Sequence, residues 1–296
     1  MRRARLLLIL PRLLLLPALL AALAGCAPRQ AVARATGLVV DDMIAAMHAE
    51  TDPVQARGAG PTLFVMIDGL LRSDPGNDGL RRAAAQAYGS YAFGFLEEAE
   101  PARAGEFYRR GRSHGAAALR ARPGMAGLFQ GDAAAQKEAL ARLGGDDLPL
   151  LFWTAYCWSG WINLNRTDPE ALADLSRVAA MMERALALDP TYFHGGPHLF
   201  FGLYYGGRPA LLGGDPAKAK HHFERALAAS KGRFLMAKVL MARHYAVQAQ
   251  DRALFERLLR EVEAAPRGLL PEQALANALA RERAKSLLKK AEEFFS

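Results

Sequence analysis

In the stretch LLGGDPAKAKHHFERAL, residues 211–227, Gly213 and Gly214 precede Asp215-Pro216, and Lys218 and Lys220 follow. Glycines ahead of a lysine-bearing helix are the ingredients of a phosphate cradle. Such a cradle needs four residues between its first glycine and a Gly-Lys-Ser/Thr, and it follows a strand, so that successive backbone N–H groups wrap the phosphates. This stretch has neither the spacing nor the strand. Asp215 fits instead as a helix N-cap with Pro216 at the first helical position, and Ala219, Phe223 and Ala226 then recur at the spacing of a packed helix face. Metal chemistry is disfavoured in the same way. His194 and His198 are four apart, but Gly195-Gly196-Pro197 between them keeps one helix from presenting both, and His221 and His222, being adjacent, point to different faces. No His-Glu-x-x-His or Gly-x-Ser-x-Gly occurs, and the carboxylates sit mostly at helix starts, where they cap. Cys157, in LFWTAYCWSGW, has aromatic neighbours and no nearby base, which reads as a buried, inert thiol. No catalytic residue, metal ligand or cofactor is assigned, and the chain reads as non-enzymatic.

Cys26 is the cysteine with chemistry to do. Arg2, Arg3, Arg5 and Arg12 precede an apolar run from Leu13 to Leu23 and then Ala24-Gly25-Cys26. This is the layout of a bacterial secretory signal, and the apolar run is short of the about 20 residues a spanning helix needs. Leu23-Ala24-Gly25-Cys26 resembles a lipobox, whose small residues fit a signal peptidase and whose thiolate takes a diacylglycerol. Residues 1–25 are then a lipoprotein signal peptide, 26–40 a flexible tether and 41–296 the folded domain. Ala27 stands where an aspartate would favour inner-membrane retention, so the expected location is the periplasm, lipid-anchored, at the outer membrane in preference. With Cys26 acylated, Cys157 has no partner for an intrachain disulfide.

The net charge of +8 includes the four signal arginines, which leaves +4 for the mature chain, and its basic residues alternate with Glu and Ala along helical stretches. That pattern gives no footprint for nucleic acid. The alanine-rich composition and period-3.6 stretches predict an all-α fold. Helices are expected in pairs: Asp41 to Ala49 with Pro61 to Leu71; one carrying Leu80, Ala84, Ala87, Tyr88, Tyr91 and Phe95 with one carrying Ala104, Phe107, Tyr108 and Gly111; then a short piece from Asp132 to Leu143. An aromatic helix from Leu150 to Leu164 follows, then one from Asp168-Pro169 to Asp189-Pro190, the HLFFGLYYGG helix with its partner at Asp215, and Arg233 to Gln248 with Asp251 to Ala264. A last helix from Glu272 to about Phe295 suits a capping helix, since a repeat stack must end in a polar surface.

The aromatics concentrate in the centre. Trp153, Tyr156, Trp158, Trp161, Phe200, Phe201, Tyr204 and Tyr205 lie in the two middle hairpins. Each can be core. Yet Trp153, Tyr156, Trp158 and Trp161 span more than one helix face, so some are candidates to line a groove or cavity. Arg208, just after Tyr204-Tyr205, either meets an acid group there or is solvated.

YRRGRSHGAAALRARP, MMERALALDP, LLGGDPAKAKHHFERAL and GRFLMAKVLMARHYAVQAQDRALFERLLREV, together with the lipoprotein signal, resemble the TatT proteins, periplasmic lipoproteins associated with tripartite ATP-independent periplasmic (TRAP) transporters. The resemblance covers most of the mature chain. It implies a tetratricopeptide-like helical hairpin array (an α-solenoid), a homotrimer, a cavity or pore in each subunit, and a periplasmic solute-binding protein as partner. On that footing the protein is an accessory transport component that docks a solute-binding protein and shelters an apolar organic acid. The other class the sequence allows is a tetratricopeptide-type lipoprotein scaffold for envelope assembly, which would use an open groove for peptides.

Overall fold

The computed structural model describes residues 36–295 apart from 38, 209, 210 and 212. The signal peptide, Cys26 and most of the tether lie outside the described residues. Every regular element among those described is helical. In chain order they are α1 (39–49), α2 (Pro53–Ser73), α3 (Asp78–Tyr91), α4 (Pro101–Arg120), α5 (Ala126–Gln130), α6 (Ala133–Ala141), α7 (Leu148–Leu164), α8 (Pro169–Ala173), α9 (Leu175–Leu188), α10 (Tyr192–Gly206), α11 (Pro216–Ala229), α12 (Met236–Met241), α13 (Arg252–Ala264) and α14 (Ala274–Lys289). The chain is already helical at 39 and 40, and Val40, read as tether, is fully buried in the core.

Short polar side chains start these helices, as the sequence indicated at Asp132, Asp168, Asp215 and Asp251 but not at Asp52 and Asn77. Asp52, Asn77, Asp132, Asp168, Asp215 and Asp251 each accept a hydrogen bond from a backbone N–H of their first turn. Each satisfies a donor the helix itself cannot, which typically contributes about 1 kcal/mol.

Three expectations are corrected. Pro61 does not open its helix: α2 begins at Pro53, capped by Asp52, and runs straight through Pro61. A proline in a helix interior frees the carbonyl four residues back. Here that carbonyl, Arg57 O, accepts the Tyr91 hydroxyl at 2.8 Å, which offsets the lost bond. Gly60 makes the approach possible, since a Cβ there would stand 2.3 Å from Tyr91 Cε2. The helix expected from Pro169 to Leu188 is broken into α8 and α9 at Asp174, whose carboxylate accepts the Trp158 indole N–H at 3.0 Å. The final helix ends at Lys289, before a short 3-10 turn at Ala291–Glu293.

Two π-helical turns also interrupt the expected helices. Ala92–Leu96 follows α3 and Ala242–Ala246 follows α12. In each the bond spans five residues, Glu97 N to Ala92 O at 3.0 Å and Val247 N to Ala242 O at 3.2 Å. Such turns rotate the residues that follow and frequently mark functional positions.

Three apolar clusters form the core. One joins α1–α4, one surrounds α7, and one unites α10–α14. Phe223 and Ala226, expected between adjacent helices, are both fully buried. Consecutive helices pack as neighbours from α2 to α4; α4 packs on α7, and the order continues through α9 to α14. The last helix does more than end the stack. It touches α2, and Arg283 of α14 reaches Glu98 at 3.0 Å and the Phe93 carbonyl of the first π turn. The two ends of the chain thus meet around a central space.

Candidate functional site

That space is a cavity of about 920 Å³. Its walls come from both ends of the chain and the middle: α1, the first π turn, α7, α10, α12, the second π turn and α14. Of the residues singled out from the sequence, Trp153, Tyr156, Phe200, Tyr204 and Arg208 line it. Trp158, Trp161 and Tyr205 are elsewhere, as is Phe201, buried in the cluster around α7. Trp158 is buried 16 residues ahead of its partner Asp174, stacked on Phe129 at 6.1 Å, with the Arg112 guanidinium 3.5 Å from its ring. Trp161 is half-buried between the α7 cluster and the N-terminal cluster. Tyr205 stacks on His222 at 5.9 Å and lies under Lys218 at 5.2 Å. These three alternate with the cavity-facing side chains because a helix turns about 100° per residue. Only the packing partner of each face decides which side is lumen.

The aromatic wall is held by a strained turn. Phe193 and His194, neither of them glycine, adopt left-handed backbone with φ 45° and 59°, and Gly195 continues it at φ 83°. Each such non-glycine residue costs on the order of 1–3 kcal/mol and persists only where its surroundings force it. Here Phe193 packs edge-on to Trp153 at 4.7 Å, and a Cβ on Gly195 would meet Ala226 Cα at 2.8 Å.

Polar groups cluster at parts of the wall that periodicity did not reveal. Glu97, just past the first π turn, accepts the Tyr108 hydroxyl at 2.7 Å, and burial raises its carboxyl above the usual range. Burial, with Glu97 beside them, pushes the Tyr108 and Tyr156 hydroxyls well up. Arg166, Arg243 and His244 also line the cavity. Nothing in the sequence flagged them: Arg243 and His244 sit in the second π turn, whose i to i+5 register has no residue signature comparable to a helix cap, and Arg166 lies in the turn after α7. Cys157 behaves as the sequence indicated: buried, its thiol pushed up by desolvation, its sulfur donating to Ala85 O at 3.2 Å.

The histidines carry a pH prediction. Burial holds His48 and His244, both on the cavity wall, at about 4, and His222 at about 4 beside His198, whose Nδ1 is 2.9 Å from its own. The unfolded value is 6.5, so the unfolded chain binds more protons between these limits. Their stabilising contribution is complete above pH 6.5 and is lost as pH falls toward 4. Discounting for partial exposure, the three together cost about 3 kcal/mol between about pH 7 and 5. Urea denaturation at the two pH values measures it, and a stability unchanged over that range contradicts the burial of these rings.

The TRAP transporter T-component family matches residues 49–295, a span that holds every cavity-lining residue except Ile44, Met47 and His48. The chain belongs to this family. A T-component is an accessory of TRAP transport and not a member of a known enzyme family. This T-component is also similar to an uncharacterised protein of Treponema pallidum (strain Nichols), 26% identical over 254 residues, which cover 79% of this chain and 78% of the relative.

Proposed function

We propose that this protein is a non-catalytic, lipid-anchored accessory of a TRAP-type transport system that docks a periplasmic solute-binding protein and shelters an organic acid with an apolar body in its central cavity. The observation that carries this reading is the cavity itself: about 920 Å³, of the size that binds small molecules, walled by aromatic rings with a few polar groups. The helical pairs are taken as tetratricopeptide-like hairpins, which provide enclosed or concave surfaces without reactive groups. A trimer of such subunits on the outer membrane, held by acylated Cys26, would concentrate the cavity near a membrane transporter.

Native mass spectrometry of protein purified from its own membrane tests this directly. The expected result is a trimer mass with a retained small organic anion, together with a solute-binding protein recovered from periplasmic extract. A ligand-free monomer that recovers no solute-binding protein, and instead protects an extended peptide, would replace this reading with the envelope-assembly scaffold. The anchor is tested separately. Cys26→Ser is expected to leave unprocessed or soluble protein; unchanged processing and membrane fractionation would remove the lipid assignment.

A further inference from the structure

Arg208 lines the cavity as a cation with no ion pair among the described residues. Its Nε donates to Tyr204 O at 2.8 Å, its guanidinium carbon lies 3.6 Å from the Tyr204 ring centroid, and Gln248 Nε2 holds the Arg208 carbonyl at 2.8 Å. These contacts fix the side chain, yet its Nη2 is sealed from solvent and has no hydrogen-bond partner among the described residues. A buried donor left unpaired is costly, and a charged one more so. Such an atom in a cavity wall calls for an acceptor that no described residue supplies.

Two more arginines face the same region. Arg166 donates to Gly207 O, next to Arg208, at 3.5 Å, and its remaining nitrogens hold Asn163 Oδ1. Arg243 lies over the Phe294 ring at 4.6 Å. All three line the cavity, and none forms an ion pair with a described residue. Burial lowers the Arg166 pKa, the Glu97 carboxylate opposes that shift, and Arg208 and Arg243 add to it, which places the three guanidinium groups and Glu97 within electrostatic reach of one another. The nearby carboxylate, Glu97, is already engaged by Tyr108. Arg283, the fourth arginine of the wall, differs: Glu98 at 3.0 Å and Phe93 O match it.

Aromatic rings make up much of the rest of the wall: Phe200 stands 5.7 Å from Tyr204 beside Arg208, Tyr156 has Glu97 next to it, and beyond Tyr156 come Trp153 and Phe193. The titratable groups on α1 and α10 beside that far wall are His48 and His194, whose pKa values burial lowers. The cavity thus offers one guanidinium with an unpaired N–H donor, Arg208 Nη2, two further cations near it, and aromatic surface beyond them.

Resting on the cavity reading above, we propose that Arg208, flanked by Arg166 and Arg243, binds the carboxylate head of a single-chain carboxylic acid whose apolar tail lies along the Tyr204–Phe200–Tyr156–Trp153 wall. A planar carboxylate matches the guanidinium fork, accepting parallel hydrogen bonds. A short dicarboxylate suits this arrangement poorly, because its second charge would meet aromatic rings, neutral imidazoles and the Glu97 carboxylate, and Arg283, the cation beside them, is already paired with Glu98.

Calorimetric titration of the full chain with dodecanoate, dodecanol and succinate tests the assignment, with Arg208→Met and Arg243→Met as variants checked for folding by circular dichroism. The expected result is that dodecanoate binds at least about tenfold tighter than dodecanol, that succinate does not bind measurably, and that Arg208→Met reduces dodecanoate to the dodecanol level while leaving dodecanol unchanged. If Arg208→Met does not fold, Arg243→Met is expected to weaken dodecanoate selectively. Equal binding of dodecanoate and dodecanol, insensitive to both variants, overturns the head-group site but leaves the cavity reading intact. Succinate binding as tightly as dodecanoate overturns the tail assignment. Wild-type protein that binds none of the three overturns both.

Discussion

Phe223→Ala is expected to lower the unfolding free energy by about 3–5 kcal/mol. Phe223 is fully buried in the C-terminal cluster, where α11 meets α10. Its ring lies against Gly202, close enough that a Cβ on that glycine would stand 2.9 Å from the ring. The glycine has no side chain to move into the space an alanine would leave, so relaxation cannot fill the void and the full cavity cost remains. Leu199 and Ala226 in the same cluster are themselves buried and committed. Urea denaturation followed by circular dichroism measures the loss. A change below about 1 kcal/mol would mean that α10 and α11 do not pack in this register.

Trp158→Ala should be comparably damaging, again about 3–5 kcal/mol, for partly different reasons. The indole is 1% exposed, and its N–H donates to Asp174 at the break between α8 and α9. Arg112 covers one side of the ring and lies 3.7 Å from the same aspartate. Removing the indole therefore deletes a large buried surface, leaves the Asp174 carboxylate without its donor, and strips Arg112 of a cation–π partner. Trp158→Phe separates these contributions: it keeps most of the apolar burial, loses the hydrogen bond, and is expected to cost about 1–2 kcal/mol. Because Trp158 is not itself a cavity-lining residue, Trp158→Phe is expected to leave dodecanoate affinity unchanged. A loss of affinity in a folded Trp158→Phe protein would return this residue to the ligand site.

The helices were legible because their signals are local. Asp215-Pro216 and Asp251 announce helix starts within four residues of chain, and the period of Ala219, Phe223 and Ala226 marks a buried face whatever it is buried against. Pro61 misled for a related reason. Proline reads as a boundary unless a remote group satisfies the carbonyl it frees, and here that group, the Tyr91 hydroxyl, comes from another helix. The break at Asp174 likewise depends on an indole 16 residues away.

The central aromatics mark the limit more sharply. Trp153 and Trp158 are both buried in one helix, five residues apart, and composition treats them alike. Trp153 borders the lumen with Phe193, whereas Trp158 packs against Phe129 and Arg112. The charged part of the site was less visible still. Arg166, Arg208 and Arg243 are separated by some forty residues from one to the next; Arg208, after Tyr204-Tyr205, was a candidate to meet an acid group, whereas Arg166 and Arg243 read as ordinary solvated cations. By itself the sequence determined an all-helical chain, most helix starts, the burial of Phe223 and Ala226, and a family resemblance that the match over residues 49–295 upholds. The tertiary structure alone decided that α14 returns to α2, that residues of the two π turns line a shared cavity, and that three arginines distant in the chain line it with them. Caps and periodicity act over one or two helical turns, while a lumen exists only once helices far apart in the chain have closed around it.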